Sequence, residues 1–100
     1  TSIKRQENDN QQKYAHFYMC INKALNIAYE CGKIGGSMPV AMNAANEEAV
    51  FAFLEGRVKL FDIIDSVEKI LEKHVLVKSP TLDDIFEIDK EVRIKTRELF

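Results

Sequence analysis

The chain contains 100 residues, of which 46% are hydrophobic and 30% charged, and its formal net charge is −2. This length predicts a single domain with a modest hydrophobic core, and the small negative charge gives no electrostatic reason to expect nucleic acid as a partner. No run approaches the roughly 18 apolar residues that cross a membrane, so we expect no membrane partner either.

The N-terminal segment is polar. Residues 1–13 contain a single large apolar side chain, Ile3, among charged and amide side chains. This composition favours a polar linker, tail or insertion, and we therefore place a helical domain at residues 14–100. From about His16, apolar residues recur at spacings of three and four as far as Cys31, which predicts the first helix. Glycines follow and are expected to end it.

The run from Asn43 to Arg57 predicts the second helix, with Asn43 as its N-cap and Gly56 as a left-handed residue after its end. Whether residues 39–42 form a first turn or an extended lead-in stays open. Projected on a helix, the run has a bulky arc and a smooth alanine face. The arc contains Val50, Phe51, Phe53 and Leu54, and the face contains Ala45, Ala49 and Ala52. We expect the arc to fill a helical bundle and the alanine face to let a neighbouring helix approach closely.

Asn46 projects into the bulky arc, and a buried amide without hydrogen-bond partners costs about 1 to 3 kcal/mol. We therefore predict that its side chain is buried and joins the helix to the loop that holds residues 35–38. Ligand binding by this amide is the alternative. If the amide is buried and bonded, its replacement by alanine should cost about 1 to 3 kcal/mol.

The third helix is predicted by apolar residues that follow the i, i+3, i+4, i+7 pattern from Leu60 to Leu71. Asp62 stands where an N-cap belongs, and His74 is expected to meet the carbonyl dipoles at the end of the helix.

Thr81 and Asp84 resemble a capping box that opens a further helical turn. The apolar phase then slips near Ile88, so we predict a break at residues 87–89 and a last helix that Asp89 caps. The predicted fold class is all-α, a small helical bundle of four main helices plus a short one.

Candidates for chemistry are weak. Residues 32–36, GKIGG, contain the GxxG of a KH RNA-binding loop, but that fold requires a sheet that the pattern does not predict. His16 and Cys20 lie one turn apart, whereas a zinc site requires three or four ligands. Adjacent carboxylates such as Glu47 and Glu48 diverge on a helix. We therefore predict no catalytic, cofactor-binding or metal-binding residue in this chain. Structural roles are assigned to Asn43, Asn46, Gly56, Asp62 and Asp89.

Three successive segments resemble the C-terminal domain of the 1-deoxy-D-xylulose 5-phosphate reductoisomerase (DXP reductoisomerase) family. They are CINKALNIAYECGKIGG, MPVAMNAANEEAVFAFLEGRVKLFDI and SPTLDDIFEIDKEVR. The resemblance covers residues 17–98, and its most specific part is the run from Asn43 to Glu47. Met42 stands where the family usually has leucine.

The resemblance implies an oxidoreductase that rearranges 1-deoxy-D-xylulose 5-phosphate and reduces the product with NADPH, assisted by Mg²⁺ or Mn²⁺. Its product would be 2-C-methyl-D-erythritol 4-phosphate, in non-mevalonate isoprenoid biosynthesis. The nucleotide and metal sites would lie in other domains, and this bundle would pack on the central catalytic domain of the same enzyme and be inactive alone.

The resemblance further implies a homodimeric enzyme, located in the cytoplasm of a bacterium or in the plastid or apicoplast of a eukaryote. From the residues alone, another hypothesis stays open: a free-standing helical protein-interaction module that presents the alanine face to a partner helix.

Overall fold

In this computed structural model, the backbone is described for residues 2–100 and the side chains for residues 15–100. The described backbone forms four helices: α1 (Ser2–Ile34), α2 (Met38–Leu54), α3 (Leu60–Lys73) and α4 (Leu82–Glu98). Because the described backbone contains no strand, the prediction of an all-α bundle is confirmed. None of the described helices has both the length and the apolar character needed to cross a membrane.

Helix α1 is longer than the sequence pattern predicts, since it begins at Ser2 rather than near His16. The added segment is rich in lysine, arginine, glutamine and glutamate, which have high helix propensity even where no apolar periodicity is present. The helix continues through Gly32 and ends at Ile34, where Gly35 and Gly36 take left-handed φ angles of 70° and 56°. Helix α1 runs through residue 13, so its backbone does not mark a boundary there. The division of the chain at residue 13 stays a prediction.

Helix α2 begins earlier than predicted, so the assignment of Asn43 as its N-cap is wrong. The N-cap position belongs to Ser37, and α2 starts at Met38 with Pro39 in its first turn. Proline suits this position, because the first N–H groups of a helix have no intrahelical partner and its fixed φ angle is helical. The question left open for residues 39–42 is thereby answered, since they form part of the helix.

The core of the bundle is built from alanine, and the expectation that the bulky arc of α2 would fill it is wrong. Five alanines of α2 have no exposed surface: Ala41, Ala44, Ala45, Ala49 and Ala52. Three of them pack with Val67 and Ile70 of α3 and with Val92 of α4. Of the bulky residues, Phe51, Phe53 and Leu54 are 44%, 36% and 72% exposed, and Val50 is half-buried. The alanine face is thus covered by the domain's own helices.

Gly56 lies just beyond the end of α2 with a φ angle of 77°. The Gly56 N–H donates to the Phe53 carbonyl at 3.0 Å, and the Arg57 N–H donates to the Ala52 carbonyl at 2.9 Å. These two bonds form a Schellman motif, in which a left-handed residue lets the chain satisfy the last carbonyls of a helix.

Helix α3 follows its predicted pattern, and it buries Ile63, Val67 and Ile70. Asp62 is not the N-cap residue, however, because the helix begins two residues before it, at Leu60. The Asp62 carboxylate accepts a hydrogen bond from the Lys59 N–H at 2.9 Å. It therefore caps the helix from its third position, as the acid of a capping box does.

Helix α4 is continuous, so the predicted break at residues 87–89 and the assignment of Asp89 as an N-cap are wrong. The core-facing positions of α4 continue at spacings of three and four through Ile85, Ile88, Val92 and Thr96. Apolar residues alone do not reveal these core-facing positions in the sequence, because the last of them, Thr96, is polar. Thr96 nevertheless has no exposed surface. Its hydroxyl donates to the Val92 carbonyl at 2.7 Å, which allows its burial.

The predicted capping box at the start of α4 is confirmed. The Asp84 N–H donates to Thr81 Oγ1 at 3.1 Å, and the Thr81 N–H donates to the Asp84 carboxylate at 3.0 Å. We expect Thr81→Ala to lower the free energy of unfolding by about 1 kcal/mol, because it removes an N-cap acceptor. Urea denaturation measures this, with Ser79→Ala as a control in the preceding loop. Equal effects of the two substitutions would contradict the assignment.

Candidate functional site

The most connected buried polar group in the described part of the chain centres on Ser37, which has no exposed surface. Ser37 Oγ lies 2.8 Å from Nε2 of His74 and accepts the Val77 N–H at 2.8 Å. The Ser37 N–H in turn donates to the Val77 carbonyl at 2.9 Å. We call these three residues the serine–histidine knot. It joins the loop before α2 to the segment that follows α3.

Glycine makes the knot possible. A Cβ atom on Gly36 would lie 2.5 Å from the Val77 carbonyl oxygen and 3.0 Å from that of Lys78. The two backbone segments can therefore approach this closely only if residue 36 has no side chain. The left-handed φ angle of Gly36 gives the same requirement independently.

A serine and a histidine within hydrogen-bond distance could form a nucleophile and its base. Here the serine is inaccessible, so no substrate can reach its oxygen. Because Oγ already accepts the Val77 N–H, its own proton can be donated to the neutral imidazole of His74. This arrangement supports a structural role, in which the knot fixes the positions of two loops.

His74 faces a cleft of about 560 Å³ that also contains Lys73, Glu91, Lys95 and Glu98. Burial lowers the pKa of His74 below its ordinary value of 6.5; Glu91 opposes this effect and Lys95 adds to it. Between the folded and unfolded pKa values, the unfolded chain binds more protons than the folded chain. The stability that neutral His74 contributes is therefore fully present above its unfolded pKa of about 6.5. It is lost as the pH falls through the pKa of His74 in the folded chain.

We expect this loss to disappear in His74→Gln, because the glutamine amide oxygen can accept the Ser37 hydroxyl proton but the amide does not titrate. Urea denaturation at about pH 7.5 and at about pH 5 measures the difference. The native chain should lose more stability between the two conditions than the variant does. The same loss in both proteins would show that His74 does not cause it.

A second polar cluster surrounds Arg93 on α4. Its side chain is only 21% exposed, and its guanidinium group lies within 3.3 Å of the carboxylates of Glu47, Glu48 and Asp89. The hydrogen bond to Asp89 raises the pKa of Arg93 above its usual range. The cluster joins α2 to α4, and it gives Asp89 an ion-pairing role rather than a capping one.

Asn46 is exposed, so the prediction of a buried amide is wrong. With Asn43 it lines an open cleft of about 240 Å³ between α1, α2 and α3, beside Ala24, Ala28 and Ile64. The loop that Asn46 was expected to hold is held by Ser37 instead. The serine was missed, although a serine two residues before a proline is a recognisable helix start.

The predicted structural residues do not converge. Asn43 and Asn46 share a cleft, whereas Gly56 lies beyond the end of α2, Asp62 lies in α3 and Asp89 lies in α4. Among residues 15–100, no group of three or more histidine, cysteine, aspartate or glutamate side chains is placed to hold a metal ion. The described residues also form no strand, so they contain no glycine-rich turn between a strand and a helix, the unit in which Rossmann folds bind dinucleotides.

These features define an all-helical domain whose polar groups cap helices, connect loops and join helices. The family model of the DXP reductoisomerase C-terminal domain matches residues 12–95. The chain belongs to this family.

Curated relatives agree with the family model. A 1-deoxy-D-xylulose 5-phosphate reductoisomerase of Geobacillus sp. (strain WCH70) is 51% identical over 77 residues, which cover 77% of this chain and 20% of the relative. That of Bacillus pumilus (strain SAFR-032) is 52% identical over 71 residues, which cover 71% of this chain and 18% of the relative. The chain thus spans about a fifth of the length of the curated relatives it matches.

A solved structure shares the fold. It is the 1-deoxy-D-xylulose 5-phosphate reductoisomerase of Zymomonas mobilis in complex with NADPH, which superposes with a TM-score of 0.72 at 45% sequence identity. The similarity covers 76% of this chain and 20% of the other.

Proposed function

We propose that this chain is the non-catalytic C-terminal domain of an NADPH-dependent reductoisomerase. The enzyme converts 1-deoxy-D-xylulose 5-phosphate to 2-C-methyl-D-erythritol 4-phosphate, with Mg²⁺ or Mn²⁺, in non-mevalonate isoprenoid biosynthesis. The observation that carries the proposal is the family match over residues 12–95. The similarity to an NADPH complex supports the choice of cofactor for the whole enzyme.

The contribution of this domain to the reaction is indirect. Its hydrogen bonds and ion pairs, including the serine–histidine knot and the Arg93 cluster, hold helices and loops against one another. This bundle packs on the central catalytic domain and keeps the catalytic groups of the central domain in position. Positioning matters because small displacements of reacting groups cost large factors in rate.

Fragment complementation tests the proposal. The chain alone is expected neither to bind NADPH nor to oxidise it with 1-deoxy-D-xylulose 5-phosphate and Mg²⁺. A fragment containing the remaining domains should have little activity, and adding this chain should restore turnover, measured by the absorbance of NADPH. Stoichiometric NADPH binding to this chain in calorimetry would overturn the proposal, as would full activity of the complementary fragment without it.

We further propose that the enzyme is a homodimer and acts in the cytoplasm. The cytoplasmic assignment is supported by the bacterial sources of its relatives, such as Geobacillus and Bacillus. Sedimentation of the full-length protein tests the dimer, which a single monomer boundary at every concentration would exclude.

A further inference from the structure

One side of α1 exposes large apolar residues in a row. Tyr18 is 63% exposed, Ile21 39%, Leu25 63% and Tyr29 68%. At 100° per residue these four positions fall within an arc of about 80°, and they extend over roughly 16 Å of helix. We call this set the α1 stripe. The opposite side of α1 contains Cys31, which is buried at 3% exposure.

The α1 stripe contains no charged side chain. Between Tyr18 and Tyr29 the sequence has one charged residue, Lys23. The Lys23 ammonium group points towards α3, where it lies 3.0 Å from the Asp65 carboxylate and 3.3 Å from that of Glu68. The centres of protein interfaces are depleted of charge and enriched in tyrosine. Between its two ends the stripe has both properties, and at its C-terminal end the Lys33 ammonium group lies 5.9 Å from the centre of the Tyr29 ring.

Two exposed apolar residues on α4 have more charge between them. Leu82 is 67% and Phe86 is 64% exposed, as exposed as the residues of the stripe. Two of the three residues between them, Asp83 and Asp84, are charged, whereas Lys23 is the one charged residue between Tyr18 and Tyr29. Single apolar residues among charges are normal on a soluble surface, whereas a row that includes tyrosines and has few charges has the composition of an interface centre.

The size of the stripe indicates what covers it. A strip roughly 16 Å long and one helix wide, about 10 Å, offers on the order of 160 Å² of footprint. A stable complex of two separate proteins buries about 800 Å² on each partner. A domain tethered to its partner needs less, because the tether gives a high effective concentration. The curated relatives are about five times as long as the matched segment, which covers 20% of the Geobacillus protein.

We infer that the α1 stripe docks onto the rest of the same polypeptide, against an apolar surface that offers hydrogen-bond acceptors to the tyrosine hydroxyl groups. This inference rests on the proposed function, since it takes the chain to be one domain of the longer reductoisomerase. It goes further by assigning the contact to one side of one helix.

Cysteine labelling of the full-length enzyme tests the inference. Leu25→Cys places a thiol in the stripe, and Phe86→Cys places one at a site of matched exposure on α4. Each folded protein is treated briefly with a polar maleimide, and peptide mass spectrometry measures the modification at each site relative to the denatured protein. We expect the cysteine at position 25 to react at least about tenfold more slowly than that at position 86, because docking excludes the reagent. If Leu25→Cys does not fold, Tyr29→Cys gives the same comparison.

Equal rates at the two sites would overturn the inference. Protection that disappears on dilution, in step with dissociation of the oligomer, would also overturn it, because a second copy would then cover the stripe. Protection independent of protein concentration supports it. NADPH turnover by the unmodified full-length enzyme is measured separately. An inactive enzyme would reject the proposed function, whereas the labelling rates would still report whether the stripe is covered.

Discussion

Replacing Gly36 by alanine is expected to lower the free energy of unfolding by about 2 to 5 kcal/mol. The left-handed backbone at this position costs a residue with a Cβ atom about 1 to 2 kcal/mol. The new Cβ atom would also lie 2.5 Å from the Val77 carbonyl oxygen. That oxygen belongs to the backbone and accepts the Ser37 N–H, so it cannot move without weakening the serine–histidine knot. Overpacking of this kind adds about 1 to 3 kcal/mol.

Two neighbouring glycines provide matched controls. Gly35 has a φ angle of 70° but an added Cβ atom would meet no atom within 4 Å, so Gly35→Ala should cost only the backbone strain of about 1 to 2 kcal/mol. Gly32 lies within α1 and is also open, so Gly32→Ala should be neutral or stabilise by up to about 1 kcal/mol. Urea denaturation of the three variants measures this order. Equal losses at positions 35 and 36 would show that the close approach to Val77 is not important.

Ala45→Leu is expected to lower the free energy of unfolding by about 1 to 3 kcal/mol or more. Ala45 has no exposed surface and packs in the cluster with Val67 of α3 and Val92 of α4. A leucine side chain has no space there unless α2 separates from its neighbours. Thermal or urea unfolding monitored by circular dichroism gives the change.

The adjacent residue provides the control, because Asn46 is exposed and lines an open cleft. Asn46→Leu and Asn46→Ala should each change stability by no more than about 0.5 kcal/mol, as is usual for surface substitutions. A loss of 1 to 3 kcal/mol in Asn46→Ala would restore the original prediction of a buried, bonded amide. Similar effects of leucine at positions 45 and 46 would show that α2 is rotated from the orientation described here.

The sequence predicted helices best where one apolar face repeats clearly. Helix α3 has such a face, and both its pattern and its buried residues Ile63, Val67 and Ile70 agree with the structure. Helix α2 is apolar around most of its circumference, so periodicity could not distinguish the inner face from the outer one. Side-chain size decides which face is buried, because helices that pack this closely leave space only for alanine between them.

The polar connections were harder to predict because they join distant parts of the chain. Ser37 and Val77 are separated by forty positions, and no local spacing indicates their contact. The same holds for Arg93 and Glu48, which belong to different helices. Local signals such as the Thr81 capping box were recognised, since both of its partners lie within one turn.

The alanine interior of α2 has a consequence for the entropy of folding. An alanine side chain has no rotamers to lose on burial, whereas a buried leucine or isoleucine loses about 0.5 to 1 kcal/mol of rotamer freedom. The five buried alanines therefore bury little apolar area but give up no side-chain entropy. They also leave the fully buried face of this helix without alternative rotamers through which its contacts could rearrange. The bundle is thus suited to transmit a fixed geometry to whatever it contacts.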